Sequence, residues 1–345
     1  MSYYFPSIIP SFQSVESASD LPFSVNSGEN GIRLLLRSYD LPEGARVALP
    51  LFVCDSLKTA VLKEGLTPVY LDLKGDGTFW SDYHPDLLAG LSVSVVILVH
   101  LYGFIHPDTN AVMDFCKERK LPLLHDAAQS FGLDETKLSY SSGIVYSFGP
   151  GKSSTAAGGA VVKGITEVFY GEQMAKPGPF QSLRASLFLK SRLYSYTFGW
   201  LDKLLLKIVG PLQQDDEIRE ASSFQKNAAV VAMKLVKELQ PERNKHYNLL
   251  CSAIEKSERI TEVATSGEGL HFKLILKINS SSFLDYLRQH QVPFFSLYSS
   301  LHLGKEVFEK NPNFQKHAPS FIEISTEASL PEQEVERIAD VLHKA

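Results

Sequence analysis

Short apolar runs alternate with helical periodicity through the first half of the chain. The pattern predicts strands over 46–49, 69–73, 95–100, 121–125, 143–148 and 159–162, the first ending at Pro50. Helices are predicted over 55–64, closed by Gly65, and over 108–120. The run 95–100 is apolar throughout, as expected of a strand covered on both faces. Strands separated by helices imply an α/β fold with a mostly parallel central sheet flanked by helices.

The pattern changes after Lys163. The stretch 183–210 is apolar but interrupted by Arg184, Lys190, Arg192, Lys203 and Lys207, and predicts an amphipathic helical insertion. A long helix follows, with Phe224, Ala228, Val231, Leu235 and Leu239 on its expected buried face. Strands are predicted over 271–278 and 292–298, with a helix over 282–290. Ser329 and Glu332 have capping-box spacing around Pro331, so the last helix is expected to start there and bury Val335, Ile338, Ala339 and Leu342. These elements predict a large domain over 1–235 and a smaller C-terminal α+β domain over 236–345.

A chain of 345 residues with 44% hydrophobic and 21% charged residues suits two such domains. The net charge of −5 argues against a nucleic-acid partner. Cys54, Cys116 and Cys251 are odd in number and far apart, which fits neither a disulfide framework nor a cysteine metal site and favours a reducing cytoplasmic setting. No stretch has the composition of a membrane span or a secretory signal. The basic apolar stretch 183–210 could touch a membrane surface, but a helical pair packing on the large domain or on a dimer partner is the commoner arrangement.

Three segments could carry chemistry. The first, His125-Asp126-Ala127-Ala128-Gln129-Ser130, follows a predicted strand, where ligands of open α/β sheets bind; an ordinary helix N-cap at Asp126 explains it as well. The second, Ser147-Phe148-Gly149-Pro150-Gly151-Lys152, encloses one lysine in a tight turn that lets a bulky ligand approach the backbone. Desolvation or a nearby cation makes such a lysine a nucleophile towards carbonyls, whereas a lone Gly-Lys pair is more often a surface turn. The third, Ser27-Gly28-Glu29-Asn30-Gly31, opens a helical run, and its backbone N–H groups suit an anion; a plain capped helix looks the same. Neither a GxGxxG nor a P-loop pattern is present. His100, ending a predicted central strand, with Tyr298 and His302, are candidate substrate contacts. Packed histidines are the commoner case, for His125 too. Cys116 reads as core.

Taken together and in order, these pieces resemble the DegT/DnrJ/StrS-type sugar aminotransferases, enzymes that use pyridoxal 5′-phosphate (PLP) on a fold of the aspartate-aminotransferase type (fold type I). The likeness runs from Ser27 to Val162. It includes Leu49-Pro50 with Phe52, Pro68-Val69 with Asp72, Val99-His100-Leu101-Tyr102-Gly103, Asp126-Ala127-Ala128-Gln129, Ser147-Phe148, Gly151-Lys152 and Gly158-Gly159-Ala160. It returns faintly in 224–239, in Tyr298 with Leu301-His302-Leu303, and in the last helix.

The resemblance implies that Lys152 binds PLP covalently and shuttles a proton, and that Asp126 pairs with the pyridine nitrogen. It implies that Ala128 lies against one ring face and Gln129 bonds near the phenolic oxygen. Ser147 and the backbone at Gly28, Glu29 and Asn30 would hold the phosphate, and no metal is implied. Glutamate would be the amino donor and a nucleotide-linked keto sugar the acceptor, with a homodimer completing the site.

The chain departs from the family's pattern in four places. Glu29 stands where a threonine is usual, and a carboxylate there must point away from a phosphate. Cys54 stands where an aromatic usually stacks on the cofactor ring; Phe52 is the nearby replacement. The Asn-x-Arg segment before the long helix is not recognisable near 221–225. The Leu-Pro-Leu-His-type segment reads Glu323-Ile324-Ser325-Thr326. These changes keep two alternatives open: a PLP-dependent sugar dehydratase or lyase, and a catalytically impaired binding protein of the same fold. Dehydrating relatives often replace the lysine by histidine, so Lys152 counts against the former. Retention of Lys152, Asp126, Gln129 and Ser147 counts against the latter.

Overall fold

The computed structural model describes residues 23–149, 151–178, 180–194, 217–255, 257, 260–263, 269–296 and 305–345. In chain order the elements are β1 (Ser24–Val25), α1 (Gly28–Ser38), β2 (Arg46–Pro50), α2 (Asp55–Lys63), β3 (Thr67–Leu71), α3 (Pro85–Gly90), β4 (Val95–Val99), α4 (Thr109–Arg119), β5 (Leu123–Asp126), β6 (Gly143–Ser147) and β7 (Ala160–Lys163). They continue with α5 (Glu167–Gln173), α6 (Gln181–Tyr194), α7 (Ser223–Ile254), β8 (Ile260–Val263), β9 (Lys273–Ile278), α8 (Ser281–Gln289), β10 (Phe295–Ser296), α9 (Lys305–Glu309), α10 (Pro312–His317), β11 (Phe321–Ser325) and α11 (Glu332–His343).

The larger sheet has the order β1-β7-β6-β5-β4-β2-β3. Its centre, from β6 to β3, is parallel, and β7 runs antiparallel to both β6 and β1. The chain moves outward from β2 to β3, then crosses back to place β4 on the other side of β2. That reversal opens a crevice beyond the carboxyl ends of β2 and β4, the usual ligand position in such sheets. The α/β class and the mostly parallel sheet expected from the pattern are thus present. Every residue of β4 is buried, which explains its unbroken apolar run.

The smaller sheet, β10-β11-β9-β8, is antiparallel. Its buried face packs on α7, α8 and α11 through residues such as Tyr247, Leu250, Leu274, Leu287, Ile322 and Leu342. Phe314 and Phe321 reach back to Phe52, with ring centroids 6.3 Å and 5.8 Å away, and join the core of the large sheet. The division expected between 235 and 236 falls inside the continuous helix α7.

Several local expectations are corrected. The second strand covers Thr67–Leu71, because its pairing with β2 starts at Arg46↔Thr67; Leu73 makes only an isolated bridge to Ser81. The buried face of α7 is rotated from the one predicted: Gln225, Ala228, Ala229, Ala232 and Val236 are buried, and Arg243, His246 and Tyr247 continue the face. Small and polar side chains carry that face, so hydrophobicity alone points to the wrong one. The last helix starts at Glu332 with Pro331 as its cap residue and no capping side chain, so Ser329 does not cap it; its predicted buried residues are buried. Within the described part of the strand predicted over 292–298, Phe295–Ser296 form β10 and pair with β11; 297 and 298 lie outside the described residues. Of the stretch 183–210, the described part belongs to α6; the remainder, with Tyr298 and His302, lies outside the described residues. Among the described residues no helix is long and apolar enough to cross a membrane.

Candidate active site

Sheet register brings the three candidate segments to one edge. Val99 at the end of β4 lies beside Asp126 at the end of β5, which lies beside Val145 in β6. Ser147 ends β6 opposite Ala160, and Ala160 lies opposite Val25 of β1. Two antiparallel pairings make β1 point the same way as β6, so the turn into α1 emerges beside Ser147. A cavity of about 840 Å³ opens there, and Gly28, Asp126, Ala128, Gln129, Ser147 and Lys152 all line it.

At one end, Ser27 caps α1: its hydroxyl accepts from the Asn30 N–H at 3.1 Å. The Gly31 N–H donates to the Ser27 carbonyl. The N–H groups of Gly28 and Glu29 are the remaining donors of the first turn, which an anion can satisfy. A Cβ at position 28 would sit 3.1 Å from Ser147 Oγ, so only glycine leaves this corner open. The Ser147 hydroxyl accepts from the Gly149 N–H at 3.3 Å.

Asn30 differs from the expectation for a ligand contact. Its amide donates to Asn26 Oδ1 and the Glu217 carbonyl, and its Oδ1 accepts from Arg33. With its own N–H given to Ser27, it braces the turn from within. Glu29 lines the cavity, and Lys63 Nζ, from the same wall, donates to its carboxylate at 2.9 Å, which offsets the negative charge there.

At the other end, Asp126 is buried, and burial pushes its carboxyl up. The Lys152 ammonium and the Ala128 N–H, 3.0 Å from Oδ1, oppose that shift. The amine and the carboxylate are therefore electrostatic neighbours across the cavity. Gln129 Oε1 accepts from the Tyr102 N–H at 2.7 Å, which fixes the orientation of its amide. The Lys152 backbone is held by Thr155, whose hydroxyl accepts from the Lys152 N–H at 3.0 Å and donates to its carbonyl at 2.8 Å.

Packing bears on two of the candidates; His100 lines the cavity. Phe52 is fully buried among Phe79, Phe314 and Phe321 and is absent from the cavity wall, so it does not replace the missing aromatic. Cys54 itself lines the cavity, 2.8 Å from the Ser56 hydroxyl. His100 is 1% exposed and both its ring nitrogens are taken. The His106 N–H donates to His100 Nδ1 at 3.1 Å, which leaves the proton on Nε2 to donate to His125 Nδ1 at 3.0 Å. His125 Nε2 in turn donates to the Tyr140 carbonyl. His100 therefore has no ring nitrogen left for a substrate, and the pair stacks with rings 12° apart.

Residues outside the predicted set also line the cavity: Ser56, Thr59 and Lys63 from α2, Arg184 from α6 and Gln225 from α7. The polar stripe 56-59-63 has helical spacing and is readable in the sequence. Arg184 and Gln225 come from elements whose placement no local pattern announces.

The site can be set against known proteins. Residues 19–167 match the sequence model of the DegT/DnrJ/EryC1/StrS aminotransferase family. The family segment thus holds β1 to β7, with Asp126, Ser147 and Lys152. A UDP-N-acetyl-3-dehydro-α-D-glucosamine 3-aminotransferase of Acidithiobacillus ferrooxidans is 30% identical over 149 residues, 41% of this chain and 40% of that protein. A dTDP-3-amino-3,4,6-trideoxy-α-D-glucose transaminase of Streptomyces venezuelae is 30% identical over 156 residues, 44% of this chain and 41% of the relative. The alignments thus span about two fifths of these curated relatives. Fold likeness extends much further. NtdA of Bacillus subtilis, solved with bound cofactor PMP, superposes with a TM-score of 0.70 at 17% identity, covering 93% of this chain and 72% of that one. A putative sugar aminotransferase of Streptococcus pneumoniae in its PMP form gives 0.70 at 16%, with 93% and 86% covered. The chain therefore has the fold of these aminotransferases over nearly its whole length.

Proposed function

We propose that this protein is a PLP-dependent aminotransferase that moves an amino group from glutamate to a keto sugar carried on a nucleotide. One observation carries the reading: Lys152 and the buried Asp126 face one cavity whose far corner is the glycine-floored anion cradle at Gly28 and Ser147. When bound, the cofactor supplies an electron sink for the carbon that gains or loses the amine. Lys152 would hold it, and its amine, once freed, would serve as the general acid and base at the reacting carbon. Asp126, fixed by the Ala128 N–H, keeps a proton on the ring nitrogen. Ala128 would leave space against one ring face, and Gln129, whose Oε1 accepts from the Tyr102 N–H, would offer its NH2 to the ring's oxygen. The Gly28 and Glu29 N–H groups and the Ser147 hydroxyl take the phosphate. The sugar acceptor rests on the names of the relatives, two of which are sugar transaminases.

Addition of PLP to purified protein should give the absorbance of lysine-bound cofactor, lost in Lys152→Ala. Glutamate should then yield one equivalent of 2-oxoglutarate. A wild-type protein that binds no PLP at Lys152 sinks the reading. PLP bound without 2-oxoglutarate would instead favour the impaired binding protein, the alternative that Cys54 in place of an aromatic supports. We also propose a cytoplasmic homodimer of two-domain subunits. Val168 on α5, with Phe180 and Leu183 at the start of α6, are exposed large apolar side chains and support a covering partner.

A further inference from the structure

Arg243, midway along α7, is wholly excluded from solvent and is among the largest fully buried side chains. Its Nε and Nη2 donate to Glu327 Oε2 at 3.1 Å and 2.8 Å, and Nη2 also donates to the Ser153 carbonyl at 2.8 Å. Glu327 lies between β11 and α11, and its own carbonyl meets His246 Nδ1 at 3.1 Å. Burial raises the Glu327 carboxyl, and the Arg243 charge opposes this. Neither residue lines the cavity.

A buried ion pair is a poor route to stability, because desolvation of both charges offsets their attraction and apolar replacements are often as stable or more so. The distinguishing feature of this pair is what it grips. Ser153 directly follows Lys152, and Ser153 and Ser154 are both fully buried. Thr155 holds the Lys152 peptide groups from one side, and the guanidinium holds the next carbonyl from the other.

We propose that Arg243, oriented by Glu327, is the positioning residue for Lys152 and sets where its amine meets an aldehyde cofactor; this rests on the PLP reading for the cofactor alone. The clamp ties the segment after β11 to the amine, so the smaller sheet takes part in aiming the reactive group.

The test compares wild type, Arg243→Met/Glu327→Leu, which removes both charges and leaves none orphaned, and Arg243→Lys, which keeps the charge but not the fork that reaches two acceptors. Three quantities are measured: thermal midpoint, acylation rate of Lys152 without cofactor, and loading of PLP on Lys152, trapped by borohydride and located by peptide mass. The expected result is a folded double variant whose Lys152 acylates at an altered rate and loads PLP about 100-fold more slowly, the scale of an ångström-sized misplacement. Arg243→Lys should also load slowly, with the absorbance of the lysine-bound cofactor shifted in its pH dependence. If the double variant does not fold, Arg243→Lys alone decides. Wild-type acylation and loading in a folded variant overturn the clamp. Failure of wild type itself to load PLP overturns the cofactor reading instead, and the acylation comparison still judges the clamp.

Discussion

At the scale of single residues, the departures from the family's pattern become intelligible through their partners. A glutamate at position 29 looks hostile to a phosphate. Lys63, two turns along α2 from Ser56, pairs with the carboxylate at 2.9 Å and offsets its charge within the cavity wall. Both side chains are partly exposed, at 24% and 33%, so the pair is worth about 1 kcal/mol at most. Lys63→Ala should leave that charge without its offset and weaken PLP affinity up to about fivefold. Glu29→Thr in the same background should restore it. A PLP titration of the three proteins checks this, and unchanged affinity in Lys63→Ala would remove Lys63 from the account. Among the described residues no phenylalanine, tyrosine or tryptophan side chain lines the cavity beside Cys54, and Phe52 is committed to the aromatic core.

At the scale of elements, the ends of β4 and β5 are tied by neutral histidines. Burial lowers the basicity of His100 and His125, and it takes His106 down to about 3. The unfolded chain protonates each near 6.5, while the folded protein does not. Stability is therefore intact above that value and falls as pH drops below about 6.5, for His106 over the range down to about 3, by up to about 1.4 kcal/mol per pH unit for one histidine. Asp126 and Glu327 are shifted the opposite way for acids, so they favour the folded state at low pH and lose that contribution as pH rises. Replacing one histidine isolates its share: His106→Gln should flatten the pH dependence by about 1.4 kcal/mol per unit. Urea midpoints at neutral and mildly acidic pH measure the slope, and parallel slopes would contradict it. The capping box of α7 acts at the same scale: Ser222 and Gln225 satisfy each other's backbone N–H, and Gln225 also donates to the Asn26 carbonyl before α1. That cap joins α7 to the anion cradle.

For the whole molecule, the open side of the cavity and the exposed apolar residues on α5 and at the start of α6 argue for a second subunit. Leu183 is 55% exposed and Phe180 61%. Leu183→Glu places a charge where an apolar contact is expected, so light scattering should show a dimer for wild type and a monomer for the variant. A wild-type monomer that transaminates at full rate would refute the proposed assembly. The clamp at Arg243 belongs to this scale too, since it links the two sheets through the peptide that follows Lys152.

The chemistry of the large sheet was largely readable from local pattern. Buried parallel strands write continuous apolar runs, and tight turns beyond their carboxyl ends require glycine, which marks Gly28 and Gly151. Asp126, Ser147 and Lys152 stand at such strand ends and turns, so order along the chain already indicated one shared edge. Other features had no local signature. The buried face of α7 mixes apolar residues with alanine, glutamine, arginine and histidine, and the burial of its polar members depends on distant partners: Arg243 needs Glu327, 84 residues away, and Ser153, 90 residues away. For His100 the sequence left a substrate contact and a packed histidine both open, and packing supplied partners for both its ring nitrogens. Periodicity records which residues avoid water, whereas a buried polar group is tolerable only where folding delivers its partner, and that pairing is a property of three-dimensional proximity.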